Sequence, residues 1–164
     1  MSTLEDTCVE LLLAARGHLR VDGTWPEPIA RKHREAKVEL VPYVFSVNEE
    51  CTWGKARDFT ARKAPTVVFR PDRMFVNMGV PEHLRIKTIT PQNAVADRVE
   101  NIEAFRFSQA QERHVKLDMP VLRPGKFVEI ACAWSSLVPD RFERGYRYLL
   151  AFDFCGIAAL PRRS

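Results

Sequence analysis

The chain has 164 residues, 46% hydrophobic and 28% charged, with 25 basic and 21 acidic side chains giving a formal charge of +4. That balance excludes a disordered or collagen-like chain, and the length is enough for one domain with a core of its own. The small basic excess permits contact with phosphates or acidic surfaces without demanding it.

The first element is a helix. Thr3 and Asp6 have the spacing of a capping box, and Leu4, Cys8, Leu11, Ala15 and Leu19 step by four and three residues onto one face. Val9, Leu12 and Leu13 widen that face, so the helix needs a broad apolar surface, either its own sheet or a neighbouring subunit. Gly17 is the expected stop. The run Leu11 to Ala15 is far too short to span a bilayer and follows acidic residues, the wrong sign for a secretory leader. The four cysteines, Cys8, Cys51, Cys132 and Cys155, contain no C-x-x-C pair and are expected to be reduced thiols of a protein made in a cytoplasm.

From Val21 to Ala36 the character changes. DGTWPEPIARKHREA (22–36) combines a glycine, two prolines and a basic run, and reads as a linker or arm. Residues 1–37 are therefore assigned to an N-terminal helix and basic arm, and 38–164 to a β domain.

The rest is a series of short runs rich in β-branched and aromatic residues: 38–47, 65–70, 73–78, 84–89, 113–119, 127–134 and 146–154. An eighth, 99–108, is expected as a strand that could hold a helical turn. Val128, Ile130, Cys132 and Trp134 share one strand face, as do Tyr146, Tyr148, Leu150, Phe152 and Phe154. Pro71, Pro81 and Pro91 each follow a strand-like run and read as turn corners, as do RPGK (123–126) and VPDRF (138–142). About eight short strands with such spacing predict an all-β, jelly-roll-like sandwich.

Candidate chemistry is sparse. His18, His33, His83 and His114 are scattered singly, without the spacing that fixes a metal, and no metal or other cofactor is expected. Neither a nucleophile elbow nor a phosphate-binding glycine loop occurs. Glu49/Glu50 and Glu100/Glu103 read as solvated surface pairs. Asp153, on a strand face with Leu149, Ala151 and Cys155, needs a partner if that face is covered, and an arginine is expected. The basic residues Lys55, Arg57, Arg62 and Lys63 interleave with Trp53 and Phe59, while Arg31, Lys32 and Arg34 lie in the arm; both groups are candidates for nucleic-acid contact. Trp25 and Trp53 are the candidates to line a loop site, should the domain instead bind a glycan or peptide as a monomer.

VVFRPDRMFVNMGVPEHLRIKTITPQN and GYRYLLAFDFCGIAAL give the chain, over residues 66 to 160, a pattern that resembles small β-sandwich proteins of bacteriophage-type virions. The resemblance implies a capsid or capsid-associated protein with no catalytic residues, assembled in the host cytoplasm. Its partners would be copies of itself or other virion proteins. The residues expected at such an interface are Leu4, Cys8, Leu11 and Leu12 of the helix, then Arg70, Asp72, Arg73, Glu82 and His83 at the two proline corners.

Overall fold

A fifteen-residue strand forms the spine. The computed structural model describes residues 3–16, 24–52, 58–77, 84–92, 102–107, 117, 119–134 and 147–163. In it β7 (Arg147–Pro161) lies between β1 (Val38–Thr52) and β3 (Val68–Asn77) in an antiparallel three-stranded sheet. The β1–β7 pairing runs unbroken from Val38↔Pro161 to Thr52↔Arg147, so both strands extend well past the stretches whose composition announced them. Pro42 is tolerated inside β1 because β1 is an edge strand, whose outward N–H groups need no ladder partner.

A second antiparallel sheet has the order β2-β6-β4-β5, with β2 (Asp58–Lys63), β4 (Leu84–Pro91), β5 (Ile102–Glu103) and β6 (Val128–Trp134). β2 is an addition to the expected strands, since DFTARK stands out in the sequence for its charges rather than its alternation. In stretch 99–108 the described residues form the two residues of β5 and a 3-10 turn, Ala104–Phe107. Glu82, His83, Lys55, Arg57, Trp53, Gly17 and most of 113–119 lie outside the described residues.

The two sheets bury their facing sides in one core. Phe45, Phe69, Met74, Phe152 and Phe154 from the first sheet meet Ile86, Ile130, Cys132 and Trp134 from the second. The alternation foreseen for β6, and for β7 at Leu150, Phe152 and Phe154, is the one observed, while Tyr146 and the Tyr148 side chain lie outside the described residues. The fold is thus mostly β, two antiparallel sheets of three and four strands among the described residues.

α1 (Leu4–Ala14) lies across the outer face of the first sheet. Its capping box forms as expected: the Asp6 amide donates to Thr3 Oγ1 at 3.1 Å, and the Thr3 amide to Asp6 Oδ2 at 3.1 Å. Cys8, Leu11 and Leu12 pack on Val38, Val68, Ile157 and Ala159 in a second apolar cluster. Arg123 clamps the helix start, donating to Glu5 Oε1 at 2.9 Å and Asp6 Oδ1 at 2.8 Å.

The basic arm is corrected by a second helix, α2 (Glu27–Glu35). Its prolines stand before and within the first turn, where the missing N–H costs nothing, and Lys32 and Arg34 in the last turn complement the helix dipole. α2 is closed by Lys37, which adopts a left-handed φ of 53° where glycine is usual.

Candidate functional site

The segment Val68–Asn77 is one strand, not two strands around a corner. Pro71 stays in the ladder opposite Gly156, and Asp72 is an extra residue that shifts the register before Arg73 pairs with Cys155. Gly156 is required there, because a Cβ would stand 1.9 Å from the Arg70 carbonyl oxygen. The bulge and the missing side chain leave a depression of about 400 Å³ lined by Pro42, Tyr43, Val44, Asp72, Arg73, Cys155, Gly156 and Ile157.

The bulge also sorts the charges. Arg70 is only 5% exposed. It donates through Nη1 to the Leu12 carbonyl at 2.8 Å, and through Nε and Nη2 to the Asp72 carboxylate at 3.0 and 3.3 Å. It satisfies a carbonyl in the last turn of α1, a group no intrahelical amide can reach. Arg70 is therefore an internal brace and is withdrawn from the expected rim, whereas Asp72 and Arg73 are exposed. Cys8, Leu11 and Leu12 are likewise covered by the chain's own sheet, while Leu4 is 51% exposed and lines a hollow with Cys8, Val68 and Ala159.

The outer face of the first sheet is consequently divided. At one end α1 and α2 cover Val38, Leu40, Val68 and Ile157. Toward the other end the rows Val44–Cys155–Arg73, Ser46–Asp153–Phe75 and Asn48–Ala151–Asn77 continue beyond the helices. Val44 and Leu149 are 57% and 63% exposed there. Asp153 accepts a hydrogen bond from the Ser46 hydroxyl on the neighbouring strand, the partner found where an arginine was expected.

Burial and the adjacent Asp153 push the Cys155 thiol up, against a smaller opposing pull from Arg73, so it is held protonated and weakly nucleophilic. Among the described residues no group of three His, Cys, Asp or Glu side chains is placed to hold a metal.

The candidate nucleic-acid residues separate as well. On β2 the Arg62 guanidinium lies 5.3 Å from the centre of the Phe127 ring, and Lys63 Nζ donates to the Ser46 carbonyl at 3.0 Å. Both side chains already serve the sandwich. Arg31, Lys32 and Arg34 are exposed on α2, where Arg31 approaches Glu35 at 4.0 Å and Arg34 pairs with Glu27. Trp25, considered for a loop site, instead packs edge-on against the buried His33 with ring centroids 5.6 Å apart. What sequence reasoning missed at this face is the pair Val44 and Leu149; the signal was present, since both lie in strands apolar on two sides.

No protein-family model, curated protein or solved structure matches the chain.

Proposed function

We propose that the protein is a non-catalytic structural component that associates with copies of itself, and that its place is in a virion assembled in a host cytoplasm. The observation that carries the assembly reading is the half-face of the three-stranded sheet beyond the helices, where Val44 and Leu149 are more than half exposed. A second copy is the occupant that fits. Its own face would offer the same Val44 and Leu149, and its Asp153 already accepts from Ser46, so docking need not strip that carboxylate of its partner.

The strand order supports a jelly roll. The sheets read 1-7-3 and 2-6-4-5, and Leu122 already pairs with Phe69 on the free side of β3 through backbone hydrogen bonds of 3.0 and 2.7 Å. That bridge gives the first sheet room for a fourth strand beside β3, as a jelly roll of two four-stranded sheets needs. Capsid, lectin and cupin domains share that architecture. A cupin's paired histidines are missing from the sequence, and the virion reading rests on the pattern in residues 66 to 160 together with this fold-level analogy.

Light scattering coupled to size exclusion tests the reading. The wild type is expected as an oligomer or larger particle, and Val44→Asp with Leu149→Asp as a folded monomer. A wild-type monomer at high concentration would overturn it.

A further inference from the structure

The pairing of β1 with β7 joins two basic stretches that are more than a hundred residues apart in the chain. Val38 is opposite Pro161, so the residues just outside the ladder, Lys37 and Arg162, are neighbours, and the Arg162 amide donates to the Lys37 carbonyl at 2.8 Å. Arg163 follows. On the other side of Lys37 is the last turn of α2. Arg31 and Arg34, three residues apart on α2, and Lys37 just past its end make a short basic stripe. The stripe runs toward Arg162, whose charge is close enough to be felt by the buried His33 of α2.

We propose that Arg31, Arg34, Lys37, Arg162 and Arg163 form a binding site for the phosphodiester backbone of a nucleic acid. All five are exposed, and among the described residues Lys37, Arg162 and Arg163 take part in no ion pair. Arg31 and Arg34 have only solvent-exposed carboxylate partners, which exchange readily for phosphate. Four of the five are arginines, whose planar guanidinium matches two phosphate oxygens at once. Cations grouped in this way can meet successive phosphates of one strand, which are spaced at about 3.4 Å of helix axis.

Lys37 is the second argument. A left-handed backbone is strained for lysine, and glycine would relieve it. The strained backbone sets a cation between the two basic runs, where a glycine would leave a gap in the charge. Helix-dipole complementarity alone does not explain it, because Arg162 and Arg163 are not part of the helix. An anionic membrane is a poorer match. Among the described residues none of the exposed large apolar side chains, Leu4, Leu13, Val44 and Leu149, lies on α2, and only Leu4 comes near this end of β7, where it lines a hollow with Pro161, too little to anchor in lipid.

The test is binding of the full chain to fluorescent 20-nucleotide single strands and duplexes, titrated across salt. Vesicles of phosphatidylserine and phosphatidylcholine and a polyglutamate peptide serve as competitors. Replacing Arg162 and Arg163 by Ala should lower the slope of log K against log salt by about 1.8 on duplex or about 1.4 on single strands. Lys37→Gly should raise thermal stability while lowering that slope by about 0.9 on duplex, so that between 50 and 200 mM salt the wild type loses about 3.5-fold more affinity than the variant, a pairing of effects that a purely structural lysine would not produce. Absence of binding at low salt would overturn the proposal. So would a slope unchanged by these substitutions, or tighter binding to vesicles or polyglutamate than to either oligonucleotide.

Discussion

Arg70 of β3 donates a 2.8 Å hydrogen bond to the carbonyl of Leu12, in the last turn of α1 and 58 positions earlier in the chain. This contact ties the helix to the sheet at the site of the bulge. It also explains why an arginine stands on a strand face otherwise occupied by Val68 and Ile157. The extra residue created by the bulge, Asp72, turns its carboxylate back onto the same guanidinium. Sequence and packing thus meet in one three-residue device, R-P-D.

Substituting Arg70 should therefore act on stability before association. Arg70→Leu would leave the Leu12 carbonyl and the Asp72 carboxylate without their donor, costing about 3 kcal/mol. Arg70→Lys should recover less than half, since one ammonium cannot serve a carbonyl and a carboxylate in the fixed geometry of a guanidinium fork. Urea unfolding of both variants gives the measurement, with a loss in the leucine variant below about 1 kcal/mol contradicting the brace.

Two glycines give a calibrated contrast. At Gly156 the new methyl would collide with the Arg70 backbone, which cannot move without opening the β3–β7 ladder, so Gly156→Ala should cost several kcal/mol, about 3 or more. At Gly125 nothing lies within 4 Å of where an added methyl group would stand, and only the φ of 76° opposes it, so Gly125→Ala should cost about 1 kcal/mol. Equal losses in thermal or urea melts would remove the close approach as the reason for Gly156.

The alternating runs of β6 and β7 and the capping box of α1 were legible because each is a local pattern with a single period. Residues 65–78 mislead because proline followed by Asp is the same signal for a turn and for an edge-strand bulge; only the pairing with Gly156 distinguishes them. α2 is hidden by its start, where prolines that favour a first turn look like a linker. The basic run of α2 was visible, but its neighbours Arg162 and Arg163 were not, because their proximity is a property of β1–β7 register. Exposure is equally non-local. Leu12 and Leu13 are adjacent and alike in the sequence, yet one is buried on the sheet and the other is open.

His33 makes stability depend on pH in mild acid. It is 4% exposed, its Nε2 has no hydrogen-bond partner, and burial together with Arg162 holds it below the ordinary histidine value of 6.5. The folded state therefore keeps the ring neutral where the unfolded chain takes up a proton. Its contribution is complete above about pH 6.5 and is lost progressively as pH falls from there through the folded value. The loss is at most about 1.4 kcal/mol per pH unit. The difference in unfolding free energy between wild type and His33→Phe, followed from pH 8 to pH 5, should change in that window; a constant difference would rule the effect out.

Cys155 provides a reporter of the open sheet face. Its thiol is raised by burial first and by Asp153 second, while Arg73 opposes both. Alkylation by iodoacetamide at neutral pH, with the modified site read by peptide mapping, should accordingly be slow. Asp153→Asn removes the negative neighbour but keeps an oxygen to accept from Ser46, so it should speed the reaction with little change in fold. Arg73→Gln removes the opposing cation and should slow it. Self-association through the rows around Val44 and Leu149 would bury the same sulfur, so the wild-type rate should also fall as protein concentration rises. In Val44→Asp with Leu149→Asp that concentration dependence should vanish. A rate independent of concentration in both proteins would mean that this face is not where copies meet.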